Sequence, residues 1–188
     1  KMNKQTTIKK EVSCYGIGLH TGLKSSITFK PAPINSGIIF NRIDKKNKQI
    51  CVSINNINDL DRGTSLSSDS ISVYSVEHLL SAIYSIGINN LSIDISNKEV
   101  PIFDGSALPF YNLLNQAGII EQNSYQDELT IKEKVFFQYE DSLISIYPYN
   151  DLKITVLINY DNKYIGEQKY SFDFSNDSYL KEIAPART

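Results

Sequence analysis

The stretch Ser75-Val-Glu-His-Leu-Leu-Ser-Ala-Ile-Tyr-Ser-Ile86 places Val76, Leu79, Leu80, Ile83 and Ile86 at i, i+3, i+4, i+7 and i+10. That spacing is one apolar stripe of an amphipathic helix. Ser75 is expected to cap its start, and Gly87 to end it. Just beyond, Leu91-Ser-Ile-Asp-Ile95 alternates strictly, so the period falls from that of a helix to that of a half-buried strand. A second helix is expected after Asp104-Gly105, with Ser106 as cap and Pro109 tolerated in the first turn. Phe110, Leu113, Leu114 and Ala117 make its stripe, and Gly118 closes it.

On the N-terminal side of this helix–strand–helix unit the chain reads as short strands. Thr6 to Cys14 is one, Ser26 to Phe29 another, and Pro31-Ala-Pro33 punctuates before Gly37-Ile-Ile-Phe40. Further strands are expected near Ile50–Ile54 and Ile71–Tyr74, with polar Asn55–Ser70 between them as loop or hairpin. Gly16-Ile-Gly-Leu-His-Thr-Gly22 reads as a turn. On the C-terminal side, polar Glu121–Glu128 is a candidate linker. Leu129–Tyr139, Leu143–Tyr147, Leu152–Tyr160 and Gln168–Phe174 follow as strand candidates, and Ser175–Ile183 as a helix. The fold class is therefore α+β. The expected division is a first domain over 1–123, a linker at 124–128, and strands with one helix over 129–188 that lack closing elements.

A chain of 188 residues with 41% hydrophobic and 21% charged residues carries enough apolar material for a packed core, which excludes a disordered chain. The net charge of −2 argues against a nucleic-acid partner, which calls for a basic surplus. No apolar run reaches the ~20 residues of a membrane-spanning helix. Lys1 to Lys10 is polar, without the apolar core of a secretory signal, so a cytoplasmic location is expected. Cys14 and Cys51 lack metal or redox spacing and are expected to be reduced, partly buried thiols.

Chemistry rests on few side chains. The two histidines are His20 and His78. At about 100° per residue, Glu77 falls on the edge of the apolar stripe and His78 on its polar side. Such a pair in a first helical turn suits a metal-bound water, the imidazole ligating zinc while the carboxylate takes a proton. The plainer reading is a solvated helix face. No His-Glu-x-x-His pattern is present. His20, among turn residues, is read most simply as packing over a hairpin. Gly16 and Gly18 do not continue into a dinucleotide fingerprint, because Thr21 stands where the third glycine belongs. Nucleophile-elbow and phosphate-loop patterns are absent as well.

Taken in order, the segments Gly16–Gly22, Lys30-Pro-Ala-Pro33 with Gly37–Phe40, Val76-Glu-His-Leu-Leu-Ser-Ala82, Gly87-Ile-Asn-Asn90, Glu99-Val-Pro-Ile-Phe-Asp-Gly-Ser106 and Ala186-Arg-Thr188 form a specific set. Over essentially the whole chain they resemble the UDP-3-O-acyl-N-acetylglucosamine deacetylases, zinc hydrolases that commit bacteria to lipid A synthesis. The resemblance implies two similar layered α/β-sandwich domains, the second incomplete here, with an active site between them. It implies His78 as a zinc ligand, Glu77 as general base and Thr188 as a hydroxyl that stabilises the oxyanion. It also implies Tyr160 as an aromatic touching the nucleotide sugar. His20 lies in a family motif near the cleft and is not assigned as a ligand. The region Arg62-Gly63-Thr64-Ser65 departs from the family pattern, as does Asn159-Tyr-Asp-Asn162 around Tyr160.

The resemblance places two more zinc ligands, a His and an Asp one helical turn apart, downstream of the Ala-Arg-Thr motif, together with a second catalytic histidine. The sequence is accordingly read as the N-terminal part of such an enzyme. Expected partners are the UDP-linked acylated glucosamine substrate and Zn2+, with no nucleic acid and no transmembrane segment, in a monomer. These residues alone are expected to be inactive. The alternative is a catalytically inactive binding or scaffold module derived from the enzyme.

Overall fold

A computed structural model describes residues 3–60 and 62–188. Lys1, Met2 and Asp61 lie outside the described residues, as do the parts of the polar start and of the 55–70 loop that fall on them. The chain is α+β and separates into two compact units, one running to Gln126 and including Leu180–Thr188, the other Asp127–Tyr179.

The first unit is built on a five-stranded sheet. Preceded by β1 (Lys4–Ile8), its strands are β2 (Val12–Ile17), β3 (Lys24–Pro31), β4 (Ile38–Arg42) and β5 (Lys48–Cys51). Next come β6 (Ile57–Asp59), β7 (Ser65–Ser68) and β8 (Ile71–Val73), which form a separate three-stranded sheet. Helix α1 (Glu77–Ile86), strand β9 (Leu91–Ile95), helix α2 (Leu108–Ala117) and strand β10 (Ile119–Tyr125) complete the unit. The large sheet has the order β2-β3-β9-β4-β5, antiparallel except for the parallel pair β4 and β9. Ile27, Phe29, Phe40, Ile93 and Ile95 from the sheet share one buried cluster with Leu79, Ala82 and Ile83 of α1 and Phe110 and Leu114 of α2. That shared cluster holds both helices on the sheet. Among the described residues, no helix is long and apolar enough to cross a membrane.

Several local expectations differ. Thr6–Cys14 is not one strand: Lys9 and Lys10 turn to donate to the carbonyls of Gly118 and Ala117, so β1 pairs with β10 while β2 joins the large sheet. The polar residues from Glu121 to Tyr125 are strand rather than linker. Their amides are used inside: Gln122 accepts from Asn90 at 2.7 Å and donates to the Ala32 carbonyl at 2.8 Å, a pattern that apolar counting does not register. Ser75 does not cap α1, whose first flanking residue is Val76 without a side-chain cap. Nor does Ser106 cap α2; its hydroxyl turns back to Asp104. Cys14 is half-buried, whereas Cys51, on the edge strand β5, is exposed.

The second unit holds two antiparallel hairpins, β11 (Val135–Tyr139) with β12 (Ser142–Ile146), and β13 (Lys153–Asn159) with β14 (Glu167–Asp173). The strand expected from Leu129 begins only at Val135. The expected terminal helix is a short turn, Asn176–Ser178, capped reciprocally by Ser175 and Ser178, that widens into a π-type turn over Tyr179–Ile183.

Candidate active site

Glu77 is the first residue of α1, where the partial positive charge of the helix start favours a carboxylate. It is half-buried, and its Oε2 accepts the backbone N–H of Thr64 at 2.9 Å. The Val76 N–H in turn donates to the Thr64 carbonyl at 3.1 Å. The 62–64 loop is thereby pinned across the start of α1. Gly63 allows the approach, since a Cβ there would lie 3.3 Å from Glu77 Oε1. His78 follows on the same turn, also half-buried. Glu77 is therefore engaged with the protein rather than lying free on a solvated face.

His20 is exposed at the tip of the turn after β2, which Gly22 closes by donating to the Gly18 carbonyl at 3.0 Å. The turn is held from below by Glu99, a carboxylate only 1% exposed. Its Oε1 accepts the His20 N–H at 2.9 Å and the Ser75 hydroxyl at 3.1 Å, and its Oε2 accepts the Thr21 N–H at 2.8 Å. Burial pushes the Glu99 pKa up, but hydrogen bonds from the His20 backbone, the Thr21 side chain and backbone, and the Ser75 hydroxyl outweigh it. The net result lies below the ordinary glutamate value. Gly18 gives this carboxylate its room: a Cβ there would sit 2.3 Å from Glu99 Oε2 and would force the carboxylate to shift. His20, Arg62, Thr64, Ser75 and Lys98 line one open cavity of about 370 Å³.

Thr188 lies in the same unit. Its N–H donates to the Gly105 carbonyl at 3.2 Å, and a Cβ on Gly105, at φ 86°, would meet the Thr188 carbonyl at 3.3 Å. Nearby, the Ser106 hydroxyl holds the Asp104 carboxyl below its usual range against some desolvation, with the Ser106 N–H and the positive charge of Arg187 adding to the effect. The Asp-Gly-Ser turn is in turn continuous with the His20 turn, because the Ile102 N–H donates to the Ile17 carbonyl at 3.0 Å. Motifs far apart in sequence therefore adjoin through backbone contacts. Tyr160 belongs to the other unit, half-exposed at the β13 end of its hairpin, where its N–H donates to the Gly166 carbonyl at 3.1 Å.

Over residues 5–188 the sequence matches the family described as UDP-3-O-acyl N-acetylglycosamine deacetylase. The chain belongs to that family. It is 43% identical over 190 residues to a UDP-3-O-acyl-N-acetylglucosamine deacetylase of Coxiella burnetii, an alignment covering 100% of this chain and 63% of the relative. A protein of the same name from Saccharophagus degradans is 40% identical over 190 residues, again with 100% and 63% covered. One from Nitratiruptor sp. is 40% identical over 185 residues, covering 98% of this chain and 62% of the relative. The chain thus spans about 63% of the length of the curated relatives it matches.

Among the described residues, no group of three or more His, Cys, Asp and Glu side chains comes together as a metal site. A catalytic zinc takes three protein ligands with one position open. His78 with Glu77 beside it does not amount to that set, so these residues by themselves do not fit a complete zinc centre.

Glu99 stood in the quoted motif Glu99–Ser106 without a role of its own. The signal for it was an acidic residue set directly against the apolar run Val100-Pro-Ile-Phe103, where burial makes a charge costly unless donors surround it.

Proposed function

We propose that the whole protein hydrolyses the 2-acetamido group of a UDP-linked 3-O-acylated N-acetylglucosamine, releasing acetate, as the names of its relatives describe for them. Within it this chain supplies Glu77 as general base, His78 as one ligand of a zinc ion, and Thr188 as an oxyanion donor. The observation that carries the reading is the Glu77–His78 pair at the start of α1, with the Glu77 carboxylate anchored by the Thr64 N–H. A carboxylate so placed accepts the proton of a water attacking the amide carbonyl. The Thr188 hydroxyl donates to the oxygen that becomes negative as the tetrahedral adduct forms, and the amine leaves carrying the proton that Glu77 took from the water, which restores the carboxylate. His78 would hold a zinc ion only together with ligands from the rest of the protein, and such an ion would supply Lewis-acid polarisation of the carbonyl. Tyr160 contacts the nucleotide sugar, and a cytoplasmic monomer belongs to the same reading.

The test is acetate release from that substrate by the whole protein, with and without a zinc chelator, beside the 188-residue chain. The expected result is chelator-sensitive release by the whole protein and none by the shorter chain. Failure of the whole protein to release acetate overturns the reading in favour of a binding or scaffold module.

A further inference from the structure

Glu99 is a buried carboxylate to which the proposed chemistry assigns nothing. Its donors come from two separate segments: His20 and Thr21 from the turn after β2, and Ser75 from the residue pair that leads into Glu77. Ser75 sits at φ 59°, a left-handed conformation unfavourable for a residue with a Cβ. Its hydroxyl reaches Glu99 in that conformation instead of capping the helix. The strand-like segment around Glu99 is bonded by its backbone to the residue before Ser75, the Tyr74 N–H donating to the Lys98 carbonyl at 2.8 Å and the Val100 N–H to the Tyr74 carbonyl at 3.1 Å, so the carboxylate is fixed beside the α1 segment and the His20 turn is what it adds. The carboxylate is thus a fixed post to which both segments are tied. The absent side chain of Gly18 leaves it the room.

We infer that Glu99 is a positioning residue: its carboxylate clamps the His20 turn to the segment that leads into Glu77, so that His20 and the Glu77-bound loop are held as walls of one cavity. The inference rests on the proposed deacetylase reading for its use, though not for the clamp itself. A carboxylate suits the task better than an amide, since both its oxygens accept and hydrogen bonds to a charged acceptor are about twice as strong as neutral ones. Glu99→Gln keeps the shape but turns an NH2 group toward one of the backbone N–H donors, leaving that donor unpaired. Ser75→Ala cuts only the side-chain link to the α1 segment, whose backbone stays bonded to Lys98 and Val100 through Tyr74, and leaves the turn tied.

The test uses the whole protein and reads amide hydrogen exchange together with kinetics. In Glu99→Gln the His20 and Thr21 amides are expected to exchange at least about tenfold faster, with α1 and β9 still protected. In Ser75→Ala those two amides keep their protection. Misplacement of the cavity walls is expected to lower kcat by about tenfold or more in Glu99→Gln, with KM and zinc content near wild type. Exchange at His20 and Thr21 within twofold of wild type overturns the clamp. Parallel loss of protection throughout α1 and β9 overturns it too, by making Glu99 a general structural residue. If the wild type turns over and Glu99→Gln matches its kcat, only the catalytic use of the clamp falls. A wild type without turnover removes the deacetylase reading and that use with it, whereas the exchange result still judges the clamp.

Discussion

Strands β9 and β13 share an alternating apolar pattern and differ in what covers them. Leu91, Ile93 and Ile95 of β9 are 0% exposed, beneath helices whose side chains belong to the same buried cluster. Ile154, Val156 and Ile158 of β13 occupy the matching alternate positions in their strand and are 47%, 46% and 45% exposed. Within the second unit, Phe172 and Tyr179 are the apolar residues that reach full burial among the described residues. Alternation therefore encodes which face of a strand is apolar. It does not encode whether a second layer lies on that face, which depends on helices contributed from elsewhere in sequence.

The sharpest way to break this comparison is amide exchange. The β9 amides are expected to be protected about a thousandfold or more beyond those of β13, because the former open only with the core of the first unit. Equal protection would mean that β13 has a covered face. Side-chain truncation tests the same point with a smaller effect. Phe40→Ala, in the core of the first unit, is expected to cost about 3–5 kcal/mol, and Phe136→Ala, on β11, less than about 0.5 kcal/mol. Denaturant melts monitored separately for each unit measure both.

Polar contacts sharpen the contrast further. Asn90 is buried, donates to Gln5 at 2.8 Å and to Gln122 at 2.7 Å, and accepts from the Gly37 N–H at 2.9 Å. Asn90→Ala is expected to cost about 1–3 kcal/mol in the same melts, since three groups lose a buried partner. Ser171→Ala, which breaks an exposed hydroxyl pair with Thr155, is expected to stay within about 0.5 kcal/mol. The smallest effect concerns pH. The Glu99 pKa is lowered in the folded state. Its contribution to stability is therefore present above the ordinary glutamate value of 4.5 and lost as pH falls through the lower folded value. In that window Glu99→Gln is expected to unfold with fewer protons taken up than the wild type, read from the slope of melting free energy against pH.

Much of the first unit was legible from periodicity. The strand Leu91–Ile95 matches its expected bounds residue for residue, α1 ends at Gly87, and α2 carries Pro109 in its first turn and ends at Gly118. Local rules failed where a polar side chain serves a distant partner. Ser75 has the chemistry of a cap, but Glu99 competes for its hydroxyl; Gln122 looks like linker, but Asn90 takes it inside. Hydroxyls and amides are ambiguous in sequence because local and long-range acceptors satisfy them equally well. The candidate site was legible only as residue types: Glu77 and His78 stood out by adjacency, while the Thr64 contact and the buried carboxylate at 99 depend on tertiary structure.

The most direct test of the account is acetate release from the UDP-linked acylated N-acetylglucosamine by the whole protein carrying Glu77→Gln, at matched zinc content. Loss of the general base is expected to lower kcat by about a hundredfold or more, with the fold and the Thr64 loop retained. Turnover close to wild type in that variant would contradict the role given to Glu77 and the reading built on it.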